Sequence, residues 1–138
     1  MKSFKNFQLR FHEPLGNPEC PYAYRWMLLL FGWSIRLHHW IGDDDPRATH
    51  DHPWWFITLC LWGGYIDQPS GDILTMGSIR YRPAEWRHRV ELGKQKECLT
   101  LLLTGPKMRH WGFYIKGREL LLRPLRFYSR YGHHPCDR

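Results

Sequence analysis

The sequence has no long hydrophobic run. Its longest apolar stretch, Trp26 to Trp33, is eight residues long, whereas a membrane-spanning helix needs about 20. The first residues include Lys2, Lys5 and Arg10 and lack the apolar segment of a secretory signal. We therefore expect neither a membrane span nor a secretory signal, and we expect a cytoplasmic location.

Cysteines are few, and none has the spacing of a metal-binding or redox motif. The chain has four, and no two form a CxxC pair. Cys60 and Cys98 lie in apolar runs and are interpreted as buried small side chains. Cys20 and Cys136 lie beside prolines near the two ends, and only their position favours a disulfide between them. We expect all four to be reduced thiols.

The chain also lacks a glycine-rich phosphate loop and a nucleophile elbow. Its net charge is +7, and the basic excess lies near the C-terminus, including the tail 116–138. Such a segment can attract phosphates, although scattered arginines near a terminus are more often a solvated face. Nucleic-acid binding by this tail, which has aromatic residues for base stacking, is therefore the last of three functional hypotheses.

Glycine and proline are frequent, occurring 12 and 10 times. Short apolar or alternating runs lie between them, a pattern that favours many short strands. The length of 138 residues suits one domain. We predict a strand and loop extension over 1–32, with a loop from Gly16 to Pro21, then a barrel core over 33–115 and the basic tail. About eight strands predict a closed or sandwiched antiparallel barrel, an all-β fold.

The clearest strand prediction runs from Trp33 to Ile41. Ser34, Arg36, His38 and Trp40 alternate with the more apolar set that contains His39. Only one of the adjacent residues His38 and His39 can therefore face the barrel interior, and the sequence leaves open which one does. The inward histidine is either a hydrogen-bonded core residue or a group that contacts a ligand.

Three histidines have the pattern of a metal site. His50 and His52 are two residues apart, so in a strand they project from the same face about 6.6 Å apart. His88 begins a later strand that a hairpin arrangement could bring alongside. Three imidazoles with open coordination positions suit Fe(II), Zn(II), Ni(II), Cu(II) or Mn(II). Asp51, between the first two, is expected to point away and to make surface hydrogen bonds.

The order of these residues resembles the cupin superfamily. Gly42, His50-x-His52 and Gly63 are similar to the first cupin motif, and Pro83-Ala-Glu-Trp-Arg-His88 is similar to the second. Longer runs around these motifs are similar to a group of uncharacterised cupin-like proteins of bacteria and phages, for which no reaction is known. The resemblance implies a small antiparallel double-stranded β-helix, the RmlC-like jelly-roll barrel, and it makes a homodimer plausible.

The sequence departs from the cupin motifs at two positions. The glutamate of the first motif would fall at Phe56 or Ile57, so that ligand is missing, and Glu85 replaces the glycine of the second. The resemblance therefore implies a three-histidine site like that of the thiol dioxygenases. Glu85 or His110 as a fourth ligand stays an alternative. For Glu85 we prefer a position that faces solvent or contacts a metal ligand without binding the metal itself.

Several residues around the histidines are candidates for a ligand or a reaction. Trp54 and Phe56 have the parity of His50 and His52 and are expected to line the cavity, and Cys60 is too far along the strand to be a metal ligand. If Arg80 and Arg82 face inward, they could bind an anionic group, although an exposed face is an equal alternative. The candidate acids and bases are His38, His39, Tyr81 and Glu85.

The first functional hypothesis is a metalloenzyme that acts on a small molecule by dioxygenase-type or isomerase-type chemistry at one divalent transition metal. The second is a non-catalytic module that binds a small anionic ligand such as a nucleotide or a sugar phosphate. Ligand retention without turnover would distinguish the second from the first.

Overall fold

The computed structural model describes residues 3–4, 7–17, 19–42, 49–109, 113–115 and 118–120. These residues form strands, and one short 3₁₀ helix covers Gly93–Gln95. No helix in this part of the chain is long and apolar enough to cross a membrane. The strands are β1 Ser3–Phe4, β2 Phe7–Asn17, β3 Cys20–Leu30, β4 Trp33–Trp40, β5 Thr49–His50, β6 Phe56–Gln68, β7 Asp72–Thr75, β8 Ile79–Arg82, β9 Arg89–Glu91, β10 Cys98–Thr104, β11 Phe113–Ile115 and β12 Arg118–Leu120.

The strands form two sheets in which neighbouring strands are antiparallel. The larger sheet follows the order β1-β2-β3-β4-β10-β6-β7, with β8 and β9 also paired to β6, and the smaller follows β12-β11-β5. The apolar strand β10 lies between β4 and β6. Both of its edges are therefore covered by neighbouring strands, which suits an apolar strand. The prediction of an antiparallel all-β fold is confirmed.

Strand β6 changes partners along its length. Its first half pairs with β10 on one edge and with β8 on the other, and its last residues pair with β7 and β9. The change of partners follows a register shift opposite Leu99 and Thr100. Gly63 and Gly64 lie next to this shift, and glycines are common at such irregularities in a strand.

Gly63 is required by both its conformation and its neighbours. Its φ is +75°, and a Cβ there would lie 2.3 Å from the carbonyl oxygen of Glu97. We expect Gly63→Ala to lower the free energy of unfolding by about 2–4 kcal/mol, because strain and backbone overlap add together. Gly71→Ala is the matched control, since Gly71 has φ +78° and open space around it; about 1 kcal/mol is expected there. Equal losses in urea unfolding would contradict the overlap.

The interior face of β4 is the more polar of its two faces. Ser34, Arg36, His38 and Trp40 are buried, whereas Trp33 and Ile35 are 48% and 51% exposed. Trp40 packs with Ala23, Cys60 and Cys98 in one core cluster, and a second cluster consists of Trp54, Phe56 and Leu102. The polar residues of β4 therefore point into the space that the sheets enclose.

The N-terminal segment contributes two long strands to the larger sheet. The loop predicted from Gly16 to Pro21 is wrong, because β2 continues to Asn17 and β3 begins at Cys20. Gly16 takes a φ of +87°, so the chain reverses tightly with little loss of strand pairing. As a result, β3 pairs along β4, the strand that carries the polar interior face, and covers one of its edges.

Candidate metal centre

Backbone pairing brings the two histidine segments together. The His50 N–H donates to the His88 carbonyl at 2.8 Å, and the His88 N–H donates to the His50 carbonyl at 2.9 Å. The His52 N–H donates to the Ala84 carbonyl at 3.0 Å. This reciprocal antiparallel bridge puts His50 and His88 directly opposite each other, so their side chains share a face.

The three imidazole rings form a nearly equilateral triangle. The ring centroids of His50 and His52 are 5.0 Å apart, those of His50 and His88 are 4.8 Å apart, and those of His52 and His88 are 4.9 Å apart. One nitrogen from each ring lies within 4.8 Å of the other two. The donors that the sequence placed on two separate segments therefore converge on one point.

The environment favours neutral imidazoles. Burial lowers the pKa of His50 well below its usual range, and neighbouring His88 lowers it further. Burial also lowers the pKa of His52, with added contributions from His88 and His50. A neutral imidazole keeps the lone pair that a metal ion needs. His50 and His52 can therefore bind a divalent metal without first having to lose protons at neutral pH.

A buried carboxylate orients His88. Asp67 is fully buried at the end of β6, and its Oδ2 lies 3.0 Å from Nδ1 of His88. Arg82 Nη2 and Trp86 Nε1 donate to the same carboxylate at 3.4 and 3.3 Å. A carboxylate at Nδ1 keeps the proton there and leaves Nε2 as the donor for a metal, an arrangement typical of metal-binding histidines. Asp67 shares the parity of buried Tyr65 on β6, the one signal in the sequence that could have indicated it.

Comparison with known proteins decides the fold. The sequence matches no protein-family model and no curated protein. An RmlC-like cupin protein from Ralstonia eutropha is 11% identical, with 94% of this chain and 86% of that protein covered and a TM-score of 0.58. The chain has the cupin fold. A protein of the same organism provisionally assigned as a mannose-6-phosphate isomerase is 23% identical over 67% of this chain and 90% of its own, with a TM-score of 0.53.

A third cupin-fold match is HppE in its Fe(II) form. It is 11% identical, with 75% of this chain and 59% of that protein covered and a TM-score of 0.55. Similarity at these identities concerns the fold alone, and the chemistry of this site follows from its own residues.

Aromatic rings cover one side of the histidine triangle. The ring of Phe56 lies 4.5 Å from that of His52 and 5.9 Å from that of His88, and Trp54 stacks on His52 at 5.5 Å. Phe56 occupies one of the two positions where the cupin motif would put its glutamate. An apolar ring there cannot supply a ligand, so the described donors are the three histidines alone.

The structure separates the four candidate acids and bases. His38 is buried on the interior face of β4, whereas His39 lies on the other face with its Nε2 3.1 Å from Glu97. Tyr81 is 58% exposed, and Glu85 is exposed in the turn before His88. Neither belongs to the group of converging donors. His38 is thus the candidate that points into the interior.

Arg80 and Arg82, the candidate anion-binding residues, are both paired with carboxylates. Arg80 Nε donates to Asp72 at 2.8 Å, and Arg82 Nη2 donates to Asp72 and, at 3.4 Å, to Asp67. Arg82 also stacks on Trp86, with its Cζ 4.3 Å from the ring centroid. These contacts give both guanidinium groups a structural partner, so the substrate role predicted for them gains no support.

Two further expectations concern neighbours of the ligands. Asp51 does not make surface hydrogen bonds as predicted: it is 1% exposed, and its Oδ2 lies 3.0 Å from Arg109 Nη1. The prediction failed because alternation turns Asp51 away from the histidines but does not say what covers the other face. His110 and the tail after residue 120 lie outside the described residues.

Proposed function

We propose that this cupin-fold protein binds one divalent transition metal through His50, His52 and His88 and uses it to transform a small molecule. The observation that carries the proposal is the triangle of converging imidazoles with His88 held by Asp67. Fe(II), Zn(II), Ni(II), Cu(II) and Mn(II) all accept such a donor set. A bound ion would supply Lewis-acid activation or, for Fe(II), oxygen chemistry.

The chain's own residues set the conditions for that chemistry. Three neutral ligands leave the double positive charge of an ion uncompensated, which favours an anionic substrate group or hydroxide in the open positions. Phe56 and Trp54 exclude water from one side, and a lower local dielectric strengthens charge interactions. Dioxygenase-type or isomerase-type reactions fit this setting, and cupin-fold neighbours include one protein assigned as an isomerase and one with Fe(II) in its name.

The metal content of the purified protein tests the proposal. Without added metal, the wild type is expected to carry about one equivalent by elemental analysis, because three histidines with an open position bind transition ions tightly. His50→Ala and His88→Ala are each expected to lose it. His39→Ala is the matched control, since His39 lies on the opposite face of β4. A wild type at background metal, or variants that keep the wild-type amount, would contradict the proposal.

The second candidate is a module that holds a small anionic ligand without turnover. The observation that favours it is an arginine, Arg36, buried in the interior. A ligand that stays bound and unchanged in the metal-loaded protein would support this reading. Nucleic-acid binding by the basic tail, self-association and a cytoplasmic location stay predictions.

A further inference from the structure

Arg36 is a buried cation in the interior of the barrel. It is 9% exposed, and no carboxylate of the described residues forms an ion pair with it. Burial, helped by Arg25 and only partly offset by Glu13, lowers the pKa of Arg36 to about 9. A buried charge without a counter-charge is costly, so a ligand that supplies negative charge would relieve a cost already present in the fold.

Two contacts fix the guanidinium of Arg36 and leave one edge available. Its Nε donates to Ser34 Oγ at 2.9 Å, and Ser34 Oγ is in turn hydrogen-bonded to Thr104 Oγ1. Its Cζ lies 4.5 Å from the ring centroid of Trp54. Ser34 thus occupies the Nε edge of the guanidinium, and Trp54 covers one of its faces. The two terminal nitrogens form the fork that matches the two oxygens of a carboxylate.

His38 gives a second, independent sign of a ligand. It follows Arg36 by two residues and shares its face, and it is 8% exposed. Neither of its ring nitrogens has a hydrogen-bond partner among the described residues. Burial lowers the pKa of His38, as do Arg25 and Arg36, so the ring is neutral and carries one N–H. A buried donor without an acceptor costs free energy, which a ligand oxygen would recover.

The surrounding charges favour a single negative charge at this position. Strand pairing puts Arg25 and Glu13 in one row with His38. Arg25 Nη2 lies 2.8 Å from Glu13 Oε2, which Arg10 Nε also approaches at 3.6 Å. The one described acid of this group is therefore already engaged. Arg36, which is buried and has no ion pair among the described residues, is therefore the cation that can bind an external anion.

The anion position lies close to the candidate metal centre. Trp54 touches both: Arg36 Cζ is 4.5 Å from its ring centroid, and the His52 ring is 5.5 Å from it. Arg36 Cζ and the His52 ring are therefore at most about 10 Å apart. We propose that Arg36 and His38 bind a carboxylate of the small molecule on which the metal acts, an inference that rests on the proposed function. The substrate is then a small carboxylic acid with a metal-binding group at its other end.

Propionate is the probe, with propionamide as its neutral counterpart, and the full chain is used as purified and after metal removal. At constant ionic strength, propionate is expected to raise the melting temperature of the metal-free wild type, as a ligand of the folded state does. Propionamide is expected to have no effect. Arg36→Met should weaken propionate binding by about tenfold or more, and His38→Phe by several-fold. Arg87→Met, at an exposed arginine outside the interior, is the control and should respond as wild type.

The ligand-free stability of Arg36→Met separates binding from a structural role. If the role of Arg36 is to bind an anion, the Arg36→Met substitution should leave the melting temperature of the ligand-free protein unchanged or raise it, because a buried charge is lost. A lower melting temperature together with an unchanged propionate response would overturn the inference. So would a wild type indifferent to propionate, or a larger response to inorganic phosphate that Arg36→Met abolishes. Metal content is measured separately, so a metal-free wild type would refute the proposed function while the anion result still decides this inference.

Discussion

Asp67→Asn is expected to weaken the binding of a divalent metal by about 10- to 100-fold. The substitution keeps the size of the side chain and removes the charge that holds His88 Nδ1 at 3.0 Å. The imidazole then loses its fixed tautomer and orientation. Because Arg82 and Trp86 donate to the same buried carboxylate, we also expect the free energy of unfolding to fall by about 3 kcal/mol.

Asp72→Asn is the matched control for this variant. Asp72 pairs with Arg80 and Arg82 and is partly exposed, and no contact joins it to His88 among the described residues. We expect unchanged metal affinity and a stability loss of about 1 kcal/mol or less. Metal affinity is measured by competition with a chromogenic chelator and stability by urea unfolding. If Asp67→Asn binds metal as tightly as Asp72→Asn, Asp67 does not position the ligand.

The metal-free protein is expected to lose stability steeply as the pH falls below about 6.5. Burial lowers the folded-state pKa of His38, His50 and His52, whereas an unfolded chain has histidine pKa values near 6.5. Below that pH the unfolded chain binds more protons than the folded one, so the free energy of unfolding falls. Each group contributes up to about 1.4 kcal/mol per pH unit. His38 and His52 are buried and should approach this limit; His50 keeps some exposed surface and should add less.

Urea unfolding between pH 5 and 7.5 measures this dependence after metal removal. The window lies above the range in which ordinary carboxyl groups titrate, so histidines dominate it. His38→Phe removes one titrating group and is expected to reduce the slope by about one group's share. A free energy of unfolding that stays flat from pH 6.5 to pH 5 would show that the three imidazoles are not held neutral by the fold.

Much of the candidate site was predictable because strand geometry is local. The two-residue spacing of His50 and His52 predicted a shared face, and the structure gives them converging nitrogens with His88, although β5 ends at His50 and His52 lies beyond it. The same parity put Trp54 and Phe56 beside them. The bend at Gly63 was also local, since glycine is the residue that accepts a positive φ and a close backbone approach.

The partners of these residues were not predictable because they depend on register between distant segments. Alternation shows which residues share a face, but it does not show which face is turned inward. On β4 the more polar face is the buried one, which selects His38 over His39 and puts Arg36 in the interior. The pairing of β6 with β9 likewise brings Asp67 to His88, and its pairing with β7 and β8 brings Asp72 to Arg80.

The sequence by itself indicated the all-β antiparallel class and the shared face of His50 and His52, because both follow from residue type and the two-residue period of a strand. The pairing of distant segments brought His88 to them. Tertiary structure alone decided which carboxylate orients His88, which arginines are paired within the protein, and which arginine is left with a free edge inside the barrel. Those outcomes depend on contacts between strands far apart in the chain, and hydrogen-bonded register, not local pattern, sets such contacts.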